Sequence, residues 1–440
     1  MKHVTTLLHA RWVIPVEPSG QVLEHHSVAI DDGQIVALLP SDEARRQLTA
    51  DQTVELGEHA LIPGFINAHT HAAMTLMRGY ADDLPLQIWL EEHIWPTEAA
   101  WVNPEFIRDG TRLAIAEMLR GGTTCFNDMY FFPDEVAREA EHAGIRAGLG
   151  LVVLDFPTVW AQNADEYLHK GLAVHDQVRH KPLIHTLLAP HAPYSVSDEP
   201  LGKIAMYAEE LDIPVHMHVH ETASEVSQAR LQTGCTPLER LQGLGLLGPR
   251  LLAVHMTQLT DEEIEQFAAT GAHVVHCPES NLKLASGFCP VGKLIKHGIN
   301  VALGTDGAAS NNDLDMLGEM RTAALLAKGV AHDASAVPAM TALRMATING
   351  ARAMGIDHIT GSIETGKAAD LTAIRLDQLE TQPLYNPLSK LVYAATREQV
   401  TDVWVAGRHL LKDRQLTTLD EEDILQRAHH WRQKLHRIQP

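Results

Sequence analysis

The sequence predicts an α/β fold: a (β/α)8 TIM-type barrel carrying a small β-sandwich lobe formed from both chain ends. Three observations predict it. Eight apolar runs rich in β-branched residues alternate with amphipathic stretches through the middle of the chain. Short strand-like runs with turn signals occupy both ends. Histidines and acids suited to a metal fall at the ends of the predicted barrel strands, the rim where barrel active sites are built.

Residues 1–60 open the lobe. Runs 6–13 and 27–30 are strand-like, and Asp31-Asp32-Gly33 is a hairpin turn leading into 34–39. The barrel is placed at 61–361. Its strands are predicted at 61–67, 123–128, 146–153, 184–190, 213–218, 251–255, 272–276 and 300–306. Such continuous apolar runs suit a parallel sheet covered on both faces. Between them, 105–120, 199–210 and 261–269 carry the 3.6-residue periodicity of helices. A typical barrel needs about 250 residues, so this one carries insertions. The most obvious is 75–102, with Trp89, Trp95, Trp101, Leu84, Leu86, Leu90 and Ile94. These side chains suit a helix packed on the barrel, or an apolar wall beside a ligand. Residues 362–440 complete the lobe: strand-like 369–374 and 400–405, the turn Ala406-Gly407-Arg408, strand-like 409–411, and a charged C-terminal helix.

Composition excludes several classes. The formal net charge of −21 over 440 residues argues against nucleic acid or an anionic membrane surface as partner. Cys125, Cys235, Cys277 and Cys289 form no CxxC pair, which fits a reducing compartment better than a disulfide framework. There is no signal-peptide pattern and no long apolar run, so a cytoplasmic protein without transmembrane helices is expected.

The chemistry sits at five points. His69 and His71 follow the first apolar run. Side chains alternate along a strand, so both can face one metal. Among 27 histidines, about one or two such pairs arise by chance; the strand-end position gives this one weight. His216, His218 and His220 share one parity at the fifth run and compete for a ligand role. Spacing from Glu221 favours His218, leaving the other two to pack or hydrogen-bond. His255 ends the sixth run and Asp306 the eighth. An aspartate behind so apolar a strand is costly to bury unpaired, although an N-cap would also explain it. The fourth run ends in Ala189-Pro190-His191 with no lysine to bridge two metals, so one divalent metal per chain is expected. Imidazoles plus a carboxylate suit Zn2+, and Fe2+ or Mn2+ would also be accepted. Glu221, beside the metal points, suits proton transfer.

Six segments carry a resemblance: LIPGFINAHTHAAMTLMRG (61–79), LAPHAPYS (188–195), HVHET (218–222), HCPESNLKLASG (276–287), GTDGAASNN (304–312) and TGSIETGKAADL (360–371). The chain resembles, over nearly its whole length, the deaminase and chlorohydrolase branch of the amidohydrolase superfamily. Within that branch it is most similar to the 5-methylthioadenosine/S-adenosylhomocysteine deaminases. The resemblance implies that His69, His71, His218 and Asp306 hold the metal. It implies that Glu221 shuttles protons and that His255 orients and polarises the attacking water. Glu98 would bind the ribose hydroxyls, and His191 and Arg146 would contact substrate. The implied reaction takes an adenosine-type nucleoside to its inosyl analogue and ammonia. The implied partner is thus a small-molecule purine nucleoside, with homo-oligomers common in the family. Rival readings are a guanine or other heterocycle deaminase, a triazine hydrolase, a two-metal cyclic-amide hydrolase, and a non-catalytic scaffold on the same fold.

Overall fold

A computed structural model describes residues 1–436; the last four residues of the predicted C-terminal helix lie outside them. Eight parallel strands form the barrel sheet: β1 (Phe65–Thr70), β2 (Thr123–Tyr130), β3 (Arg146–Val153), β4 (Ile184–Pro190), β5 (Val215–Val219), β6 (Leu251–His255), β7 (His273–His276) and β8 (Asn300–Leu303). Each pairs with its sequence neighbour. The ring closes where β8 meets β1. There the Asp306 amide donates to the His69 carbonyl at 3.0 Å, and the Thr305 amide to the Asn67 side chain at 3.0 Å. This approach requires Gly304, because a Cβ there would stand 2.8 Å from the His69 backbone nitrogen. Every residue of β1, β2, β3 and β5 is buried, as apolar strands covered by helices require.

The predicted helices form with identifiable ends. Pro104–Arg120 starts at Asn103, whose side chain accepts the amides of Glu105 and Phe106. Asp261–Ala268 starts with a Thr260–Glu263 capping box. The insertion after β1 folds into a helical segment, Leu86–Ile88, Trp89–Ile94 and Trp95–Trp101, with π-type turns in its middle part.

Both chain ends build one mixed eight-stranded sheet. Its long central strand, Leu48–Pro63, pairs in parallel with Lys2–Val13 and antiparallel with Leu371–Arg375. The apolar run expected as one strand over 61–67 is therefore divided. Residues 61–63 belong to the lobe, and Gly64 is the hinge into β1. The C-terminal helix Glu421–Leu435 packs on the barrel helix Pro104–Arg120. Its fully buried Trp431 meets Phe106 edge-on and donates to Asp109 at 2.8 Å. No helix among the described residues is long and apolar enough to cross a membrane.

Candidate metal centre and active site

A cavity of about 330 Å³ opens at the C-terminal ends of the barrel strands, roofed by the insertion. His71, Glu98, His191, His218, Glu221, His255 and Asp306 all line it. His69, fully buried beneath, completes a cluster with them. His218 Nε2 lies 3.2 Å from His69 Nε2, and Asp306 Oδ1 lies 3.3 Å from His69 Nε2 and 3.2 Å from His71 Nε2.

Tautomers follow from the partners. Carbonyl oxygens only accept, so His71 Nδ1 must donate to Met129 O at 2.6 Å and His218 Nδ1 to His191 O at 2.8 Å. Each ring therefore turns a bare Nε2 lone pair into the cluster when neutral. Asp306 is fixed by the Gly307 amide on Oδ1 at 2.7 Å and by Ser280 Oγ on Oδ2 at 2.6 Å. Facing lone pairs and a carboxylate repel one another unless a cation lies between them. Two donor triads, His69/His71/Asp306 and His69/His218/His255, have their ligand atoms within 4.8 Å of one another. The donor set fits a divalent metal of the borderline kind.

Electrostatics follow burial. It pushes His69 down to about 4, against the opposing pull of Asp306. At His71 burial pulls the same way, but the hydrogen bond and charge of Asp306 outweigh it and raise the group to about 9. The Glu221 carboxyl is held above its ordinary value, first by burial and then by the Asp306 charge, while His255 opposes the shift. His255 keeps Nδ1 on Asn281 Oδ1 at 2.8 Å and sets Nε2 3.9 Å from Glu221 Oε2. Burial also lowers His191 to about 3; its ring lies 4.9 Å from that of His218.

The three competing histidines separate cleanly. His218 alone turns its ring into the donor cluster and the cavity. His216 sits behind it, with Nε2 2.9 Å from His69 Nδ1. His220 turns away and bonds Gln258 O through Nδ1 at 2.6 Å. Glu98 comes from the insertion and reaches the same cavity, where Tyr130 donates to it at 2.6 Å. Burial raises the Glu98 carboxyl to about 7, with Tyr130 pulling the other way.

Arg146 is corrected. It opens β3 at the far end of the barrel and does not line the cavity. Its guanidinium forms a buried two-point ion pair with Asp370 of the lobe, at 2.9 and 3.3 Å, and donates to Pro182 O at 3.1 Å. Among the described residues no lysine or arginine lines this cavity. The sequence reading also missed residues that act through others: Tyr130 on Glu98, Asn281 on His255, and Ser280 on Asp306. Asn281 and Ser280 lie inside a segment singled out for resemblance, but nothing in their spacing tells which histidine or acid they would meet.

A barrel whose rim gathers imidazoles and one carboxylate, with a separate acid alongside, defines a metal-dependent hydrolase. Comparison with known proteins narrows the class. The model of the amidohydrolase family matches residues 60–410. A 5-methylthioadenosine/S-adenosylhomocysteine deaminase of Saccharophagus degradans is 52% identical over 98% of this chain and 96% of its own. The protein of that name from Teredinibacter turnerae is 51% identical over 99% of both. Among solved structures, a zinc-bound adenosine deaminase from Xanthomonas campestris superposes with a TM-score of 0.98 at 54% identity, covering 99% of this chain and 100% of that one. A zinc complex of atrazine chlorohydrolase from Arthrobacter aurescens reaches 0.91 at 25% identity, covering 97% and 100%. The chain belongs to the amidohydrolase family.

Proposed function

We propose that this protein is a hydrolytic deaminase of adenosine-type nucleosides, with 5′-methylthioadenosine as its preferred substrate. One observation carries the reading: two acids, Glu221 and Glu98, line the same cavity, one beside the donor cluster and one on the insertion. Deamination of a ribosylated purine needs an acid at the ring and an acceptor for the ribose hydroxyls. A triazine hydrolase needs no ribose-binding acid.

His69, His71, His218 and Asp306 would hold one divalent metal, with zinc suited to the donors. When bound, such an ion lowers the pKa of water from 15.7 to about 7. The chain's own residues do the rest. Glu221, beside the donor cluster but outside both triads, gives a proton to the purine ring nitrogen as water adds at C6. The Glu221 carboxylate then takes the proton of the new C6 hydroxyl and passes it to the amine, so that the C6–N bond breaks, ammonia leaves and the inosyl carbonyl remains. His255, with Nδ1 committed to Asn281, offers Nε2 to the attacking water, and Asp306 accepts the water's proton, whose return to Glu221 restores both acids for the next turnover. Glu98 accepts the ribose hydroxyls in place of the Tyr130 phenol, or shares them with it. A reducing, cytoplasmic setting suits the four free cysteines.

The preference within the class follows from the rest of the lining. Leu86, Leu90, Ile94, Trp95, Phe156 and Val159 are apolar, and among the described residues no lysine or arginine lines the same cavity; Arg240 lines the adjoining one and is held there by Asp198 and two carbonyls. A methylthio group gains from such a wall. Against that wall the amino acid end of S-adenosylhomocysteine would be desolvated without a charged partner. The test follows adenine-to-hypoxanthine absorbance with adenosine, 5′-methylthioadenosine, S-adenosylhomocysteine and adenine. 5′-Methylthioadenosine should exceed S-adenosylhomocysteine in kcat/KM by about 10-fold or more, in line with about 1–3 kcal/mol for an unpaired polar group. Equal values would refute the apolar-wall argument, and silence across the panel with metal bound would refute nucleoside deamination.

A second expected result concerns Glu98. Glu98→Ala should raise KM for nucleosides by about 10- to 100-fold, a loss of 1.5–3 kcal/mol in hydrogen bonds to a charged group. Any turnover of free adenine should hardly change. Equal loss on base and nucleoside would make Glu98 a structural residue.

A further inference from the structure

Glu221 reaches the cavity only because the chain turns sharply after β5. His220 is the turning point. It is not glycine, yet it has a φ of +52°, in the left-handed region that ordinary side chains disfavour. The turn leaves two successive backbone amides, of His220 and Glu221, pointing to the same side. Both residues are buried, so those amides need acceptors.

One side chain supplies both. Glu225 Oε1 accepts the His220 amide at 3.1 Å, and Oε2 accepts the Glu221 amide at 2.7 Å. Glu225 is itself fixed in the first turn of the helix Ala223–Thr233, where its amide donates to Thr222 Oγ1 at 3.2 Å. From the opposite side Thr257 Oγ1 donates to the Glu221 carbonyl at 2.6 Å, and Ser286 Oγ donates to the Glu221 carboxylate at 3.3 Å. Thr257 and Ser286 hold the carbonyl and the carboxylate. Among the described residues Glu225 alone holds the amides of the turn, while the amides of Thr257 and Gln258 donate to the His220 carbonyl at 3.0 and 3.2 Å.

We propose that Glu225 is a positioning residue for Glu221: its two carboxylate oxygens fix the His220–Glu221 turn and so aim the Glu221 side chain at the substrate. This rests on the reading of Glu221 as the proton-carrying group. A residue that merely caps a helix would affect folding and spare the chemistry. A residue that aims an acid affects kcat through that acid, since a displacement of about 1 Å can lower a rate about 100-fold.

The test uses the full, metal-loaded chain and a double-mutant cycle of Glu225 and Glu221. Glu225→Ala should lower kcat by about 10- to 100-fold while KM stays within about twofold. Glu225→Gln has one acceptor oxygen for two amides and should recover part of that loss. In a Glu221→Gln background the Glu225→Ala change should cost little further kcat. An unchanged kcat, or an equal loss in both backgrounds, would overturn the proposal. A crystal structure of Glu225→Ala gives a readout that needs no activity. His220 should leave the left-handed region and the Glu221 carboxylate should part from Ser286; an unaltered turn would overturn the proposal. If the unmodified protein deaminates no nucleoside, the preceding functional reading fails, and the crystal structure still decides the role of Glu225.

Discussion

Glu221→Gln should keep its metal and lose about 10²- to 10⁴-fold in kcat, the span of a general acid–base group. Glutamine retains the size and a hydrogen-bond acceptor, and the Glu221 amide remains on Glu225. It cannot carry a proton to the ring nitrogen or on to the departing amine. Glu221 stands outside the two donor triads, so metal content by elemental analysis should match the unmodified protein. Substrate should still bind, and KM should change far less than kcat. Wild-type kcat in this variant would remove Glu221 from the mechanism. Loss of metal along with activity would instead make it a ligand.

The second large effect is on stability. Arg146→Ala should destabilise the protein by about 3–5 kcal/mol, the usual result of removing one partner of a buried ion pair. The Asp370 carboxylate would keep the Ala406 amide at 2.7 Å but lose both guanidinium contacts. Both side chains are essentially inaccessible to solvent, so water cannot replace the lost partner. Denaturant unfolding should show a lower midpoint, with kcat and KM of the folded fraction nearly unchanged. The paired change Arg146→Met with Asp370→Leu should restore most of the loss, because it leaves no unpaired charge. Unchanged stability with a raised KM would return Arg146 to the substrate.

That contrast shows what the sequence could and could not convey. Barrel strands buried on both faces read as uninterrupted apolar runs, so eight of them stood out. The same continuity hid the division at Gly64, because the last lobe residues and the first of β1 are equally buried. Strand parity identified His69 and His71 as a pair, but it could not choose among His216, His218 and His220, which share it. The choice is made by the left-handed backbone at His220 and by the His191 carbonyl that turns the His218 ring. Arg146 failed for a reason visible in its position: it begins its run, and only the ends of runs reach the rim. Tyr130, Asn281, Ser280 and Glu225 act through contacts with partners defined only once the chain has folded.

The origin of Glu98 has a further consequence. The donors and Glu221 sit at or just beyond the ends of barrel strands held by the closed ring. Glu98, Leu86, Leu90, Ile94 and Trp95 come from one contiguous stretch of sixteen residues, Leu86–Ile88 through Trp95–Trp101. The donor cluster and most of the cavity's apolar wall are thus encoded in separate parts of the chain, with Phe156 and Val159 adding to the wall from beyond β3. Exchange of that single segment would reshape most of the wall while leaving the donor cluster and Glu221 in place, so the pocket can be varied by transplanting one piece rather than by redesigning the barrel.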